Sequence, residues 1–107
     1  MLALRALVAW YRWDRRQAFA HAKAALPLLP EDNVQWRGIS MVYVGVEELL
    51  DGRLHAARQT LLRAREFCTT AGNIPGTQDA IILLGRVALG QGTLRQAAEL
   101  FQQVLAA

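Results

Sequence analysis

One cysteine in 107 residues excludes an internal disulfide framework, and with only His21 and His55 elsewhere Cys68 cannot complete a Cys/His zinc cage. A lone thiol fits a reducing, cytoplasmic setting. Aromatic residues are scarce at 7% against a hydrophobic share of 53%, so Ala, Leu and Val supply the apolar content, which favours closely packed helices over a sheet core. No apolar run reaches the roughly 18 residues needed to span a bilayer, which argues against a membrane partner. The opening MLALRALVAWY is interrupted by Arg5 and followed by Arg12, Arg15 and Arg16, which does not suit a secretory leader. Charge of one sign is also limited: the net is +3, with eleven of the twelve basic residues being Arg. That balance falls short of the basic stripe of a nucleic-acid domain, and no direct nucleic-acid contact is expected.

Reaction chemistry is missing as well. Glu47 and Glu48 are adjacent, so on a helix they point about 100° apart and cannot face each other as an acid/base pair; they read as a solvated edge. Cys68 has no histidine within a few residues, and His21 and His55 give no metal spacing. GQGTLRQAA has Gly90 and Gly92 ahead of a helix but lacks a third glycine and a Gly-Lys-Ser/Thr ending. Arg58 and Arg65 share a helix face, which reads as a solvated surface. These residues predict no catalytic role, no metal and no cofactor.

What is present is repetition. GVEELLDGRLHAA begins at Gly45 and GRVALGQGTLRQA at Gly85, with Gly, Leu, Gly, Leu and Ala in matching places. Ala18, Ala57 and Ala97 recur at intervals of 39 and 40 residues, each five after a turn position at Trp13, Gly52 and Gly92. Each turn position lies seven after a small residue, Ala6, Gly45 or Gly85. A fixed period of this size marks stacked helical hairpins. The second half of each copy carries an i, i+4, i+7 stripe: Ala18, Ala22, Ala25; Ala57, Leu61, Ala64; and Ala97, Phe101, Val104.

The first helices are predicted over about 2–13, 33–50 and 75–91, with Pro75 suited to a first turn. Capping boxes are predicted at Asp14 with Gln17, Asp32 with Gln35, and Thr93 with Gln96, while Arg53 offers a weaker start. The breaks fall at Pro27 to Asp32 and at TTAGNIPG, Thr69 to Gly76. The expected fold is all-α: six helices in three antiparallel hairpins, about 2–29, 33–70 and 75–107, forming a single domain. Gly45 and Ala57 are expected to face each other across the middle hairpin.

The pattern of small residue, turn glycine, alanine, bulky residue and small residue resembles the tetratricopeptide repeat (TPR) at Gly45, Gly52, Ala57, Leu61 and Ala64, and again at Gly85, Gly92, Ala97 and Phe101. The first copy departs from it with Arg5 and Trp13. A period near 40 in place of about 34, with AKAALPLLPEDN, LLDGRLHAARQTLLRAREFCTTAGN and LGQGTLRQAAELFQQVL, is similar to the effector domain of MalT-like, LuxR-type bacterial transcriptional regulators. The resemblance implies a right-handed superhelical stack, excised from a longer protein. It implies a non-enzymatic module that senses a signal for the neighbouring domains of its parent, or alternatively a stand-alone adaptor between proteins.

It also implies a concave groove lined by the first helices: Leu7, Trp10 and Tyr11, then Val42 and Val46, then Asp79, Ile82 and Arg86. Such a groove would take a peptide or protein segment or a small effector. The apolar ends of the stack, with Leu100, Phe101, Val104 and Leu105 at one of them, are expected to permit self-association. Far-UV circular dichroism of the chain should be predominantly helical, and a substantial strand signal would overturn this architecture.

Overall fold

The computed structural model describes Arg5 and residues 15–106, and all regular structure among them is helical. Helix α1 spans Arg15–Ala25, α2 Val34–Leu50, α3 Leu54–Thr70, α4 Ile74–Gly90 and α5 Leu94–Leu105. The helix expected over about 2–13, with Ala6 and Trp13, lies outside the described residues, as does the cap at Asp14. The β-branched stretch MVYVGV forms the middle of α2, so helical register outweighs local strand preference there.

Helix ends follow local chemistry, with two corrections to the sequence reading. Helix α1 closes through a 3-10 turn at Leu26–Leu28, where Pro27 has no N–H to offer. Helix α2 is capped by Asn33 in place of Asp32: the Asn33 side chain accepts from the Trp36 N–H at 3.4 Å. Thr93 occupies the cap of α5, but its hydroxyl donates backwards to the Ala88 carbonyl at 3.0 Å, closing α4. Asn73, which the sequence reading left within a loop, caps α4 by accepting from the Gly76 N–H at 3.0 Å, and Pro75 sits in the first turn.

Three turns share one geometry. At each, a glycine adopts a left-handed conformation, Gly52 at φ 76°, Gly72 at φ 70° and Gly92 at φ 78°. Its N–H donates to a carbonyl three residues back, and the next N–H reaches five residues back: Arg53 to Glu48 at 2.9 Å, Asn73 to Cys68 at 2.9 Å and Thr93 to Ala88 at 2.9 Å. This is the Schellman closure of a helix. Gly72 lies in the segment read as a break between hairpins, yet its turn is the same as the turns within them. Helices α2, α3 and α4 are each 17 residues long, so one helix and one turn occupy the same length of chain at every step.

Close contacts give the direction of packing. A Cβ on Gly38 would meet the Cys68 Sγ at 2.7 Å, and one on Gly45 would meet Leu61 Cδ2 at 2.5 Å. As the position rises along α2 it falls along α3, so the two run antiparallel. The side chain against Gly45 is therefore Leu61, one helical turn beyond the Ala57 expected there. The same pairing recurs between α4 and α5, where a Cβ on Gly85 would meet Phe101 Cε1 at 2.5 Å. Helix α4 runs back along α3, with Gly76 against Cys68 at one end and Gly90 against Leu54 at the other.

The core is distributed over helix junctions. Phe19 and Ala22 of α1 pack on Tyr43 of α2. Met41, Ala64 and Ala80 join α2, α3 and α4. Ala57 and Leu61 meet Leu84, Val87 and Ala88, and then Ala97 and Leu100, across α3, α4 and α5. The stripes at Ala18, Ala22 and Ala25 and at Ala57, Leu61 and Ala64 are buried, whereas Phe101 and Val104 in the third remain half-buried. Polar links reinforce the α1–α2 junction: Lys23 pairs with Glu47, and the Arg37 guanidinium donates to the Leu29 carbonyl at 2.7 Å. Glu47, read as a solvated edge, thus ties two helices together, with Arg53 at 3.8 Å as its second cation.

Glycine substitutions separate close approach from turn strain. Gly45→Ala gains about 1 kcal/mol of helix propensity but overpacks fully buried Leu61, at a cost of about 1 to 3 kcal/mol, so a net loss is expected. Gly85→Ala should lose less, because half-buried Phe101 meets it with a ring edge that has room to swing. Gly52→Ala, with nothing within 4 Å of its Cβ, should still cost about 1 kcal/mol or more through φ alone, and Gly52→Asn should recover much of that. Urea denaturation measures all four, and a Gly45→Ala protein as stable as wild type would remove the close-approach argument.

Candidate binding surfaces

The three residues expected at the aromatic end of the groove, Leu7, Trp10 and Tyr11, lie outside the described residues. Of the rest, Val42 and Val46 are half-buried and diverge: Val42 packs against the Met41, Ala64 and Ala80 cluster, Val46 against Phe19, Ala22 and Tyr43. Both contribute to helix packing. On α4 the expected residues do stay together, since Asp79, Ile82 and Arg86 are all exposed at i, i+3 and i+7, and Leu89 extends the row one turn further. Ile82 is 37% exposed and Leu89 49%, so this row offers apolar contact between a carboxylate and a guanidinium. Asp79 and Arg86 form no ion pair with each other, which leaves both groups available to a ligand.

Asp79 stands near the α3–α4 junction. Burial pushes its carboxyl above the usual carboxylate range. The Cys68 thiol is raised too, first by its own burial and then by the negative charge of Asp79. Cys68 is fully buried between Gly38 and Gly76, so it fills the space that two absent side chains leave and has no route to a substrate. Among the described residues no group of three His, Cys, Asp or Glu side chains is placed to hold a metal, and no helix is long and apolar enough to cross a membrane.

A concave surface runs along α3. Helix α2 contacts α4, but no Cα of α3 lies within 8 Å of one in α5. The outer helices are thereby held apart with α4 between them, and a trough follows α3 along its length. At one end Arg58, Leu62 and Arg65 form one wall, Gln96 and Leu100 the other, and Leu84 with Val87 the floor of a cavity of about 170 Å³. Toward the other end Thr69, Thr77, Ile81 and Gln103 continue it. The sequence carried a signal for this surface in the shared face of Arg58 and Arg65, but their spacing alone does not distinguish a trough wall from a solvated ridge.

In comparison with known proteins, residues 1–107 match the family described as MalT-like TPR region. No curated protein and no solved structure matches the chain significantly.

Buried Cys68 on α3 and partly desolvated Asp79 on α4 make a pH-dependent prediction. Because the folded state keeps the Asp79 proton to higher pH than the unfolded chain, whose carboxyl titrates near about 3.9, the native state binds more protons between those two values. Stability from this group is therefore greatest below that window and falls as pH rises through it. Asp79→Asn should flatten that part of a urea-midpoint profile measured from acid to neutral pH. It should also speed the reaction of Cys68 with a thiol reagent less than mild denaturant does, since burial is the larger barrier; rapid reaction in the native wild type would contradict the burial.

Proposed function

The chain belongs to the MalT-like TPR region family, and from that premise we propose that it is a non-enzymatic sensing and interaction module of a bacterial, LuxR-type transcriptional regulator. In this reading six helices form three antiparallel hairpins, stacked as a right-handed superhelix whose first helices line a concave face. Contact between α2 and α4, with α3 and α5 held apart, supports placing α2 and α4 on the inner side. The observation that carries the binding role is the exposed row of Asp79, Ile82 and Arg86 on α4. It combines two opposite charges with apolar surface between them, the elements that orient and anchor a peptide segment or a small effector.

Trp10 and Tyr11, with Leu7, are proposed as the aromatic end of the same face. Occupancy would pass to neighbouring domains of the parent protein through the packed helices, in a cytoplasmic setting. The exposed Leu105 and half-buried Phe101 and Val104 favour a further contact at the α5 end, with adjoining chain or with a second copy. The alternative reading, an adaptor without regulatory neighbours, uses the same row to hold a partner protein.

A ligand screen by thermal shift tests the site, because a ligand that binds only the folded chain raises its melting temperature by mass action. Hits should lose their shift in Ile82→Asp and Arg86→Glu, while both variants melt close to wild type, since both side chains are exposed. Trp10→Ala should likewise weaken binding more than stability. Hits that keep their full shift in the α4 variants would move the site elsewhere.

A further inference from the structure

The outer trough between α3 and α5 is independent of the inner row on α4, and its charge is unbalanced. Arg58 and Arg65 are both half-buried along its wall, and neither forms an ion pair among the described residues. Arg37 and Arg53, by contrast, are engaged. Arg37 donates to the Leu29 carbonyl and stacks 5.6 Å from the Phe67 ring, and Arg53 reaches Asp51 at 3.0 Å. No acidic residue stands three or four positions from Arg58 or Arg65 on α3, and the facing residues of α5 are Gln96 and Leu100. Among the described residues that line the trough the one carboxylate is Glu66, which follows Arg65 on α3, lies outside the recess between the arginines and is exposed. A guanidinium held partly out of water without a counter-charge favours a planar carboxylate, to which it can donate two parallel hydrogen bonds.

Between the arginines the surface changes character. Leu62 sits on the same wall, and buried Leu84, Val87 and Leu100 lie beneath. Seven residues of helix separate Arg58 and Arg65 by about 10 Å, so two cations bracket an apolar recess. At about 170 Å³ that recess is smaller than the roughly 300 to 1,000 Å³ of small-molecule pockets, and it suits a few side chains of a larger partner. From Arg58 to Thr70 the trough follows about 18 Å of helix, long enough for a short segment of polypeptide.

We infer that the α3–α5 trough is a docking site for an acidic, amphipathic segment of a partner protein, with two carboxylates about 10 Å apart on Arg58 and Arg65 and an apolar side chain between them over Leu62 and Leu84. A nucleic acid suits it less well. Nucleic-acid binding accumulates many phosphate contacts and stacks bases on aromatic rings, whereas this trough presents two free guanidinium groups and an aliphatic floor.

The probe is a fluorescein-labelled, Ala-rich peptide of about twelve residues, with two Glu seven positions apart and Leu between them, matched to the helical spacing of the arginines. Its twin carries Lys in place of both Glu. Fluorescence anisotropy with the full chain should show saturable binding of the acidic peptide and none of the twin. Arg58→Gln and Arg65→Gln should each weaken it, and the double Arg58→Glu/Arg65→Glu chain should weaken it by about tenfold or more and acquire affinity for the Lys twin. That gain requires a folded trough, and far-UV circular dichroism gives a second check on folding. The proposal is overturned if neither peptide binds, if both bind alike, or if the acidic peptide keeps its affinity for the double variant. A short DNA duplex that binds more tightly than the acidic peptide, with the same dependence on both arginines, would also overturn it in favour of a nucleic-acid surface.

Discussion

The spacing of these helices depends on a large side chain seated where its neighbour has no Cβ. Leu61 occupies the space over Gly45, and Phe101 the corresponding space over Gly85. Cys68 is shared, with Gly38 on one side and Gly76 on the other. With these contacts α2 and α3 lie close along much of their length, and α4 settles against both. Buried alanines at Ala57, Ala64 and Ala80 keep that three-helix junction tight, since each adds only a methyl group between backbones.

Close packing on one side of the stack opens the other. Because the α4 backbone lies close to α2 as well as to α3, while among the described helices only α4 brings its backbone close to α5, α3 and α5 stand apart. The same inequality gives the molecule two surfaces of different chemistry. On α4 a carboxylate, isoleucine, arginine and leucine stand in one exposed row; between α3 and α5 two arginines border an aliphatic recess. Both surfaces set fixed charge beside apolar area.

Much of this was legible in the chain. Helix ends at Leu50, Thr70 and Gly90 follow from glycine positions and from the 3.6-residue stripes, both local signals. Pairing across helices was less legible, because it depends on crossing geometry: Gly45 lies against Leu61, one turn from Ala57, and no spacing rule specifies that offset. Asn33 capping α2 in place of Asp32 is a one-residue ambiguity between two good caps, resolved by which oxygen reaches the Trp36 N–H. Val42 and Val46 were read onto one face, yet they separate because α1 packs on one side of α2 and the α3–α4 pair on the other. The trough was the least legible feature, since its two walls come from helices whose backbones stand apart.

The turns at Gly52, Gly72 and Gly92 are equally spaced, so the main chain beats once per helix, while the side chains beat once per pair of helices. A helix that carries glycines among its apolar residues, α2 or α4, alternates with one that has none, α1, α3 or α5, on an otherwise uniform track. The turns therefore carry no mark that distinguishes one helix of a pair from the other. That distinction is written in the side chains, and a transposition by a single beat would leave every turn intact while exchanging the partners that each helix packs against.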